Sequence, residues 1–302
     1  MTKQVKSIVT GGAGFIGSNL VDRLVSMGHD VVVIDNESAS VNSEFYHNDQ
    51  ASYHKLDVAE YEVIRPLFDG ADYVFHLAAE SRIQPAILNP LLAVRTNMMG
   101  TAAVLQCARE VSVRKVIYSS TSSGYGLINT PPLDETMSDD CLNPYSVSKV
   151  SGEKLCKMYS DLFGLSTLTF RYFNVYGPRE PSNGPYAPIV RLFLRQKADK
   201  QPLTIVGDGL QRRDFTHVND VVEANLLAMT SDQIGLFNIG TGRNHSILEL
   251  AQMISDDIKF IPSRLGEARI TLANNTKAKT LLGWCPSIEL ESYITKQLER
   301  IA

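Results

Sequence analysis

The chain has 302 residues, 44% apolar and 21% charged, which suits a folded α/β protein of one large domain or two modest ones. A formal net charge of −4 excludes a nucleic-acid binder that relies on a broad basic surface. No apolar run approaches the roughly 18 residues that mark a membrane span, and the opening residues carry no signal-peptide pattern, so no membrane partner is expected and the cytoplasm is the expected compartment.

The first predicted element is a strand at Ser7-Ile8-Val9-Thr10. It runs into Thr10-Gly11-Gly12-Ala13-Gly14-Phe15-Ile16-Gly17, after which Ile16, Leu20, Leu24 and Val25 recur on one side of a helix that Gly28 ends. Gly11 can make the tight turn, Gly14 lets backbone approach a pyrophosphate, and Gly17 allows close helix–strand packing. The helix N-terminus adds N–H donors and a positive dipole end. A second strand, Val31-Val32-Val33-Ile34, closes on Asp35, about 20 residues on, as a dinucleotide fingerprint requires. Asp35 suits a ribose 2′-hydroxyl and repels a 2′-phosphate, and no arginine follows in Asn36-Glu37-Ser38, so the predicted cofactor is NAD rather than NADP.

Further unalternated apolar runs at 73–77 and 115–118 read as strands buried on both faces of a parallel sheet. Asn89-Pro90 and Asn143-Pro144 each read as an N-cap followed by proline at the first helical position, the second helix running to about Phe163 with Gly164 after it. In that helix Tyr145 and Lys149 stand i, i+4 on one face, some 20 residues after Ser119-Ser120-Thr121 at a strand's end. A phenol near an ammonium and a nicotinamide cation loses its proton more readily, and can then act as the base for a sugar hydroxyl. The four cysteines, Cys107, Cys141, Cys156 and Cys285, have no metal-ligand spacing, and His76 and His217 lack partners of that kind, so no metal is expected.

After about Phe173 the pieces become shorter and less regular. The periodic apolar residues from Ile247 to Ile254 and around Tyr293-Ile294 read as core-facing helices. The predicted fold is α/β, a doubly wound parallel (Rossmann) sheet with a smaller C-terminal substrate domain. Residues 1–173 form the NAD-binding part with a contribution from about 214–241, and 174–213 with 242–302 form the substrate-binding part.

Taken in order, the glycine turn, His76-Leu77-Ala78-Ala79, Asn97-Met98-Met99-Gly100-Thr101, Tyr125-Gly126, Tyr145-Ser-Val-Ser-Lys149, Arg171 to Arg179, Gly207-Asp208-Gly209 and Arg213-Asp214-Phe215 resemble the extended short-chain dehydrogenase/reductase family. Within it, the resemblance is to the NAD-dependent epimerase/dehydratase group and its UDP-sugar 4-epimerases, over nearly the whole chain. It implies that Tyr145 is the acid/base, Lys149 its partner and Thr121 the hydroxyl that meets the reacting oxygen. It implies cofactor contacts from Gly11, Gly14, Phe15, Ile16, Gly17, Asp35, Asn36, Asp57, Val58, Leu77, Ala78, Ala79, Asn97, Ser119, Tyr145, Lys149 and Tyr172. Substrate contacts are implied for Ser81, Thr121 and Ser122, for Asn174, Arg213 and Arg264 at the diphosphate, and for Thr271 as a small wall beside the sugar. Relatives that remove water carry Asp-Glu after the threonine, and relatives that decarboxylate carry Ser-Glu; Ser122-Ser123 supplies no carboxyl and matches epimerases.

The expected function is therefore inversion at C4 of a nucleotide-linked, UDP-type hexose or N-acetylhexosamine through a 4-keto sugar. Two other readings remain open on sequence: a net NAD(H)-dependent reductase or dehydrogenase, and a noncatalytic NAD sensor, which would have no need of Thr121, Tyr145 and Lys149 together. The resemblance also implies a homodimer through the helices around 95–109 and 146–163, with Val104, Leu105, Leu155, Met158 and Leu162 as available apolar residues.

Overall fold

In a computed structural model, residues 4–39, 42, 44–181, 187–263 and 268–301 are described. Strands β1 (Lys6–Thr10), β2 (Asp30–Ile34), β3 (Ser52–His54), β4 (Tyr73–His76), β5 (Lys115–Thr121) and β6 (Thr167–Tyr172) join Gly235–Ile239 in one seven-stranded sheet. The order is Gly235–Ile239, β6, β5, β4, β1, β2, β3, and every adjacent pair is parallel. The order reverses between β1 and β4, so both chain directions leave a crevice above Thr10 and His76, whose Cα atoms are paired in register. This is the doubly wound sheet expected from the apolar runs; β5 is buried along its whole length because helices cover both faces.

Capping fixes where the helices begin. The Asn143 side chain accepts from the Ser146 backbone N–H at 2.9 Å, Pro144 takes the first position, and the helix runs Pro144–Phe163 to Gly164, which is left-handed at φ 68°. Asn89 caps Pro90–Val94 in the same way. The helix that follows is not uniform: Arg95–Met99 widens into a π turn before Gly100–Glu110 continues, a local change that apolar spacing cannot encode and that often accompanies a site.

Of the four apolar clusters among the described residues, two frame the site. One joins Val9, Leu20, Val33, Phe75, Phe170 and Phe237 of the main sheet with Val221 and Ala224 of the helix Val218–Thr230. The other gathers Phe193, Leu203, Ile205, Phe215, Leu250 and Ile294 from shorter elements. These include Leu203–Val206 paired with Ile258–Ile261, and Arg212–Asp214 paired with Asn244–Ser246. The helices Ile247–Gln252 and Leu290–Ile301 present apolar faces to this second core, as their periodicity predicts. Trp284 belongs to the first core and is almost wholly buried, its indole N–H donating to the Asp220 carbonyl at 2.8 Å.

Asp214 ties the two cores together. One of its carboxylate oxygens accepts from the Thr241 N–H at 2.8 Å and hydroxyl at 2.7 Å; the other accepts from the backbone N–H of Gly242 at 2.9 Å and of Ala273 at 3.0 Å. A buried carboxylate with four donors is satisfied, and here it fixes three distant stretches of chain at one point.

Candidate active site

A cavity of about 780 Å³ opens along the carboxyl ends of the central strands and extends between the two cores. Its floor begins at the glycine turn. Gly11 lies at φ 71°, and a Cβ on Gly17 would sit 2.1 Å from the Gly11 carbonyl oxygen, so the turn and the helix Phe15–Ser26 touch backbone to backbone. Gly11, Gly14, Phe15, Ile16 and Gly17 all line the cavity. At the end of β2, Asp35 accepts from the Ala13 N–H at 3.0 Å and the Glu37 N–H at 2.8 Å. Burial pushes its carboxyl pKa up while these N–H groups hold it down, and both it and Asn36 face the cavity. A backbone cradle followed by an anchored carboxylate fits the pyrophosphate and ribose of a dinucleotide.

Leu77, Ala78, Ala79 and Ser81 line the cavity after β4, and Val58 closes the side next to β2. Asp57 does not line it; its carboxylate is paired with Arg95 and accepts from the Ala59 N–H. Asn97 also lies behind the wall, in the π turn. It donates to the Ser148 hydroxyl at 2.9 Å and to the Glu80 carbonyl at 3.0 Å and accepts from the Glu80 N–H, bracing the turn after β4 against the helix that carries Tyr145. His76 bridges the Thr10 and Thr101 hydroxyls at 2.7 and 2.9 Å, and burial drives its pKa down to about 3, so it is a neutral structural group.

The chemistry-bearing side chains converge at the end of β5. Thr121 is its last residue and accepts from the Ser123 N–H at 3.1 Å. Tyr145 stands in the first turn of Pro144–Phe163 and lines the same cavity as Thr121. Ser119 and Tyr172 are linked at 3.1 Å beneath them, and both line the cavity. Lys149 is buried one turn below Tyr145, its ammonium 4.3 Å from the centre of the Tyr118 ring, and burial lowers its pKa to about 7.

Two groups beyond Lys149 bear on the phenol. Burial raises the Tyr145 pKa, and the groups that hold it down are the Thr121 hydroxyl and the guanidinium of Arg82. Lys149 shares one face of the helix with Tyr145, as the i, i+4 spacing requires. Arg82, on the turn after β4, had no sequence signal, because nothing in Glu80-Ser81-Arg82 marks which side chain turns inward.

Toward the second core, Asn174, Arg213 and Thr271 line the cavity together. Asn174 donates to the Asp214 carbonyl at 3.0 Å and to the Thr271 hydroxyl at 3.3 Å, which fixes both. The side chain of Arg213 donates to the Arg212 carbonyl at 3.0 Å. Arg264 lies outside the described residues. Ser122, buried, and Ser123 form the turn after Thr121 and face the cavity with hydroxyls alone. Among the described residues no group of three His, Cys, Asp or Glu side chains is placed to hold a metal ion, and no helix is long and apolar enough to cross a membrane.

The sequence matches the GDP-mannose 4,6 dehydratase family over residues 8–297. The chain belongs to this family. Among its relatives is a UDP-glucose 4-epimerase of Mycolicibacterium smegmatis, 35% identical with 98% of each chain covered. Among solved structures, a UDP-glucose 4-epimerase of Thermotoga maritima with UDP-glucose aligns at a TM-score of 0.93, 34% identical over 98% of each chain. A UDP-glucuronic acid 4-epimerase of Bacillus cereus in complex with UDP-glucuronic acid and NAD aligns at 0.87, 31% identical over 98% of this chain and 99% of that one. The family thus holds dehydratases and epimerases on one scaffold, and this member lacks a carboxyl directly after Thr121.

Proposed function

We propose that the protein interconverts the C4 epimers of a UDP-linked hexose or N-acetylhexosamine with NAD as its resident cofactor. The observation that carries this is the meeting of Thr121 and Tyr145 at the end of β5, in the same cavity as the glycine turn and Asp35, with serines where an eliminating enzyme needs a carboxyl. Bound NAD supplies a reversible hydride acceptor for C4. Tyr145 takes the proton of the 4-hydroxyl, directly or through Thr121, and returns it to the 4-oxygen when hydride comes back to C4 on the opposite face of the ring. The 4-keto sugar turns about its diphosphate, which Asn174, Arg213 and Arg264 hold; a guanidinium fork suits phosphate oxygens. Gly11, Gly14, Phe15, Ile16 and Gly17 cradle the dinucleotide with Val58, Leu77, Ala78 and Ala79, Asp35 and Asn36 take its adenosine ribose, and Lys149, Ser119 and Tyr172 border its nicotinamide end. Asn97, and Asp57 through Arg95, act from behind this wall. In this reading residues 1–173 and about 214–241 form the cofactor lobe, and 174–213 with 242–302 the substrate lobe.

Incubation with a panel of UDP-sugars, without added NAD and followed by NMR, is the direct test. UDP-glucose and UDP-galactose should equilibrate without net NADH, and Thr271, a small wall residue, should let the N-acetylated pair do so as well. Stoichiometric NADH would favour a net dehydrogenase, and binding without turnover a sensor. In a second measurement, mass spectrometry of cofactor released from the purified protein should find NAD; NADP as the main species would overturn the role given to Asp35.

The homodimer belongs to the same reading. Val104 and Leu105 are spent in the chain's own core, but Met99 and Leu162 are 59 and 69% exposed on the helices proposed for a self-complementary interface, and Leu88 and Leu91 on the short helices before them are 77 and 81% exposed. Light scattering at micromolar concentration should give twice the chain mass, and a monomer would refute it. The four cysteines are unpaired thiols, which suits the reducing cytoplasm as the place of action.

A further inference from the structure

A buried ion pair lies behind the end of β5 and has no part in the chemistry described so far. Ser120 of β5 and Arg171 of β6 are partners in register, so their side chains leave the sheet on the same face. There both meet Glu153 of the helix Pro144–Phe163, two turns beyond Tyr145 and one beyond Lys149. Its Oε1 accepts from the Ser120 hydroxyl at 2.5 Å and from Arg171 Nε at 2.9 Å, and its Oε2 accepts from Arg171 Nη2 at 2.7 Å. That Nη2 also pairs with Asp139, on the stretch leading into the helix, and Lys154 pairs with Asp139 from outside at 2.6 Å. The turn after Thr121 is seated on the same guanidinium. The Tyr125 ring centre lies 4.4 Å from Arg171 Cζ, and a Cβ on Gly124 would sit 3.6 Å from that Cζ and 2.7 Å from Val150 Cγ2. Glu153 and Arg171 are both buried. A buried ion pair gains little over an apolar pair of the same shape, so stability alone does not account for it.

We infer that Glu153 and Arg171 are positioning residues, which lock the end of β5, the turn after it and the helix into one frame and so set the Thr121 hydroxyl and the Tyr145 phenol relative to each other. The assignment rests on the C4 chemistry proposed for those two groups. Thr121 follows Ser120 directly in β5, and Tyr145 stands on the helix that carries Glu153, so a shift at the pair moves one reacting group against the other. A guanidinium suits this task because its planar fork fixes direction as well as distance when it meets a carboxylate at two points. Asn97 braces the same helix from the β4 side through the Ser148 hydroxyl, so the stretch that carries Tyr145 is held from two directions.

The double variant Glu153→Leu/Arg171→Met tests this, because an apolar pair of similar volume is often tolerated where removing one partner strands the other charge. Its melting temperature and NAD content should stay near wild type. Its kcat on a UDP-sugar that the wild type turns over should fall about 10²-fold, the cost of an ångström of misplacement, with KM within about threefold. Ser120→Ala, which cuts only the link to the strand, should show part of the same loss and carries the test if the double variant does not fold. A second readout needs no turnover. The Tyr145 phenol, followed as the ultraviolet difference between each protein and its Tyr145→Phe counterpart, should titrate at higher pH in both variants, since the Thr121 hydroxyl is among the groups that hold its pKa down. Arg82, Lys149 and Tyr118, the ionisable groups around that phenol, are untouched, and the double variant removes one cation and one anion together. Wild-type kcat in the folded double variant would overturn the inference, as would a phenol that titrates as in the wild type. A lower melting temperature with kcat retained would assign the pair to the fold alone. If the wild type turns over no UDP-sugar, the C4 reading fails, and the phenol titration still decides whether the pair sets Thr121 against Tyr145.

Discussion

Replacing Tyr145 by phenylalanine should lower turnover by about 10²–10⁴-fold, the usual worth of a positioned acid–base group. The ring lines the cavity at the head of Pro144–Phe163, and phenylalanine fills the same space. The capping contacts between Asn143 and Ser146 do not involve the phenol, so the helix should keep its start. Arg82 and Thr121 remain, so binding of the sugar nucleotide should change little. Melting temperature, NAD content and UDP-sugar affinity near wild type, together with a collapse in kcat, are the expected set. Turnover within a few-fold of wild type would remove Tyr145 from the chemistry.

A comparable loss should follow from one methyl group placed far from the reacting carbon. Gly17→Ala puts a Cβ 2.1 Å from the Gly11 carbonyl oxygen and 2.8 Å from the Gly12 Cα, both backbone atoms that cannot rotate aside. The helix Phe15–Ser26 must lift from the turn, and overpacking of this kind costs roughly 1–3 kcal/mol. Because the same backbone N–H groups form the proposed phosphate cradle, the purified variant should carry little NAD and melt below the wild type. NAD occupancy and melting temperature both equal to wild type would show that the turn has slack, and the cradle would then need another basis.

Much of the site was legible because its signals are local. Unalternated apolar strands, the spaced glycines before a helix, Asp35 at a strand's end and Asn143-Pro144 before Tyr145 each express a requirement met within a few residues. What stayed hidden depends on which distant segments meet. The weakly apolar Ser52–His54 becomes a strand because β2 offers it an edge. Gly235–Ile239 joins the sheet beside β6, more than 60 residues earlier in the chain, and no local pattern says so. The π turn at Arg95–Met99 has ordinary helical spacing, yet it sets Asn97 between the Glu80 turn and Ser148. Arg82 was missed for the same reason.

Trp284 is the chain's sole tryptophan. It lies beyond the helix Thr276–Leu282, in the half of the sequence that builds most of the second core, yet it is sealed among side chains of the main sheet and its helices. Its fluorescence is therefore a natural gauge of one event, the detachment of this late segment from the earlier part of the chain. Emission that shifts to the red together with loss of helical circular dichroism would mean that the molecule melts as a single cooperative unit. A shift that comes first would identify a partly open form in which the sheet persists while the tail has come away, and would give the free energy of that opening without any label.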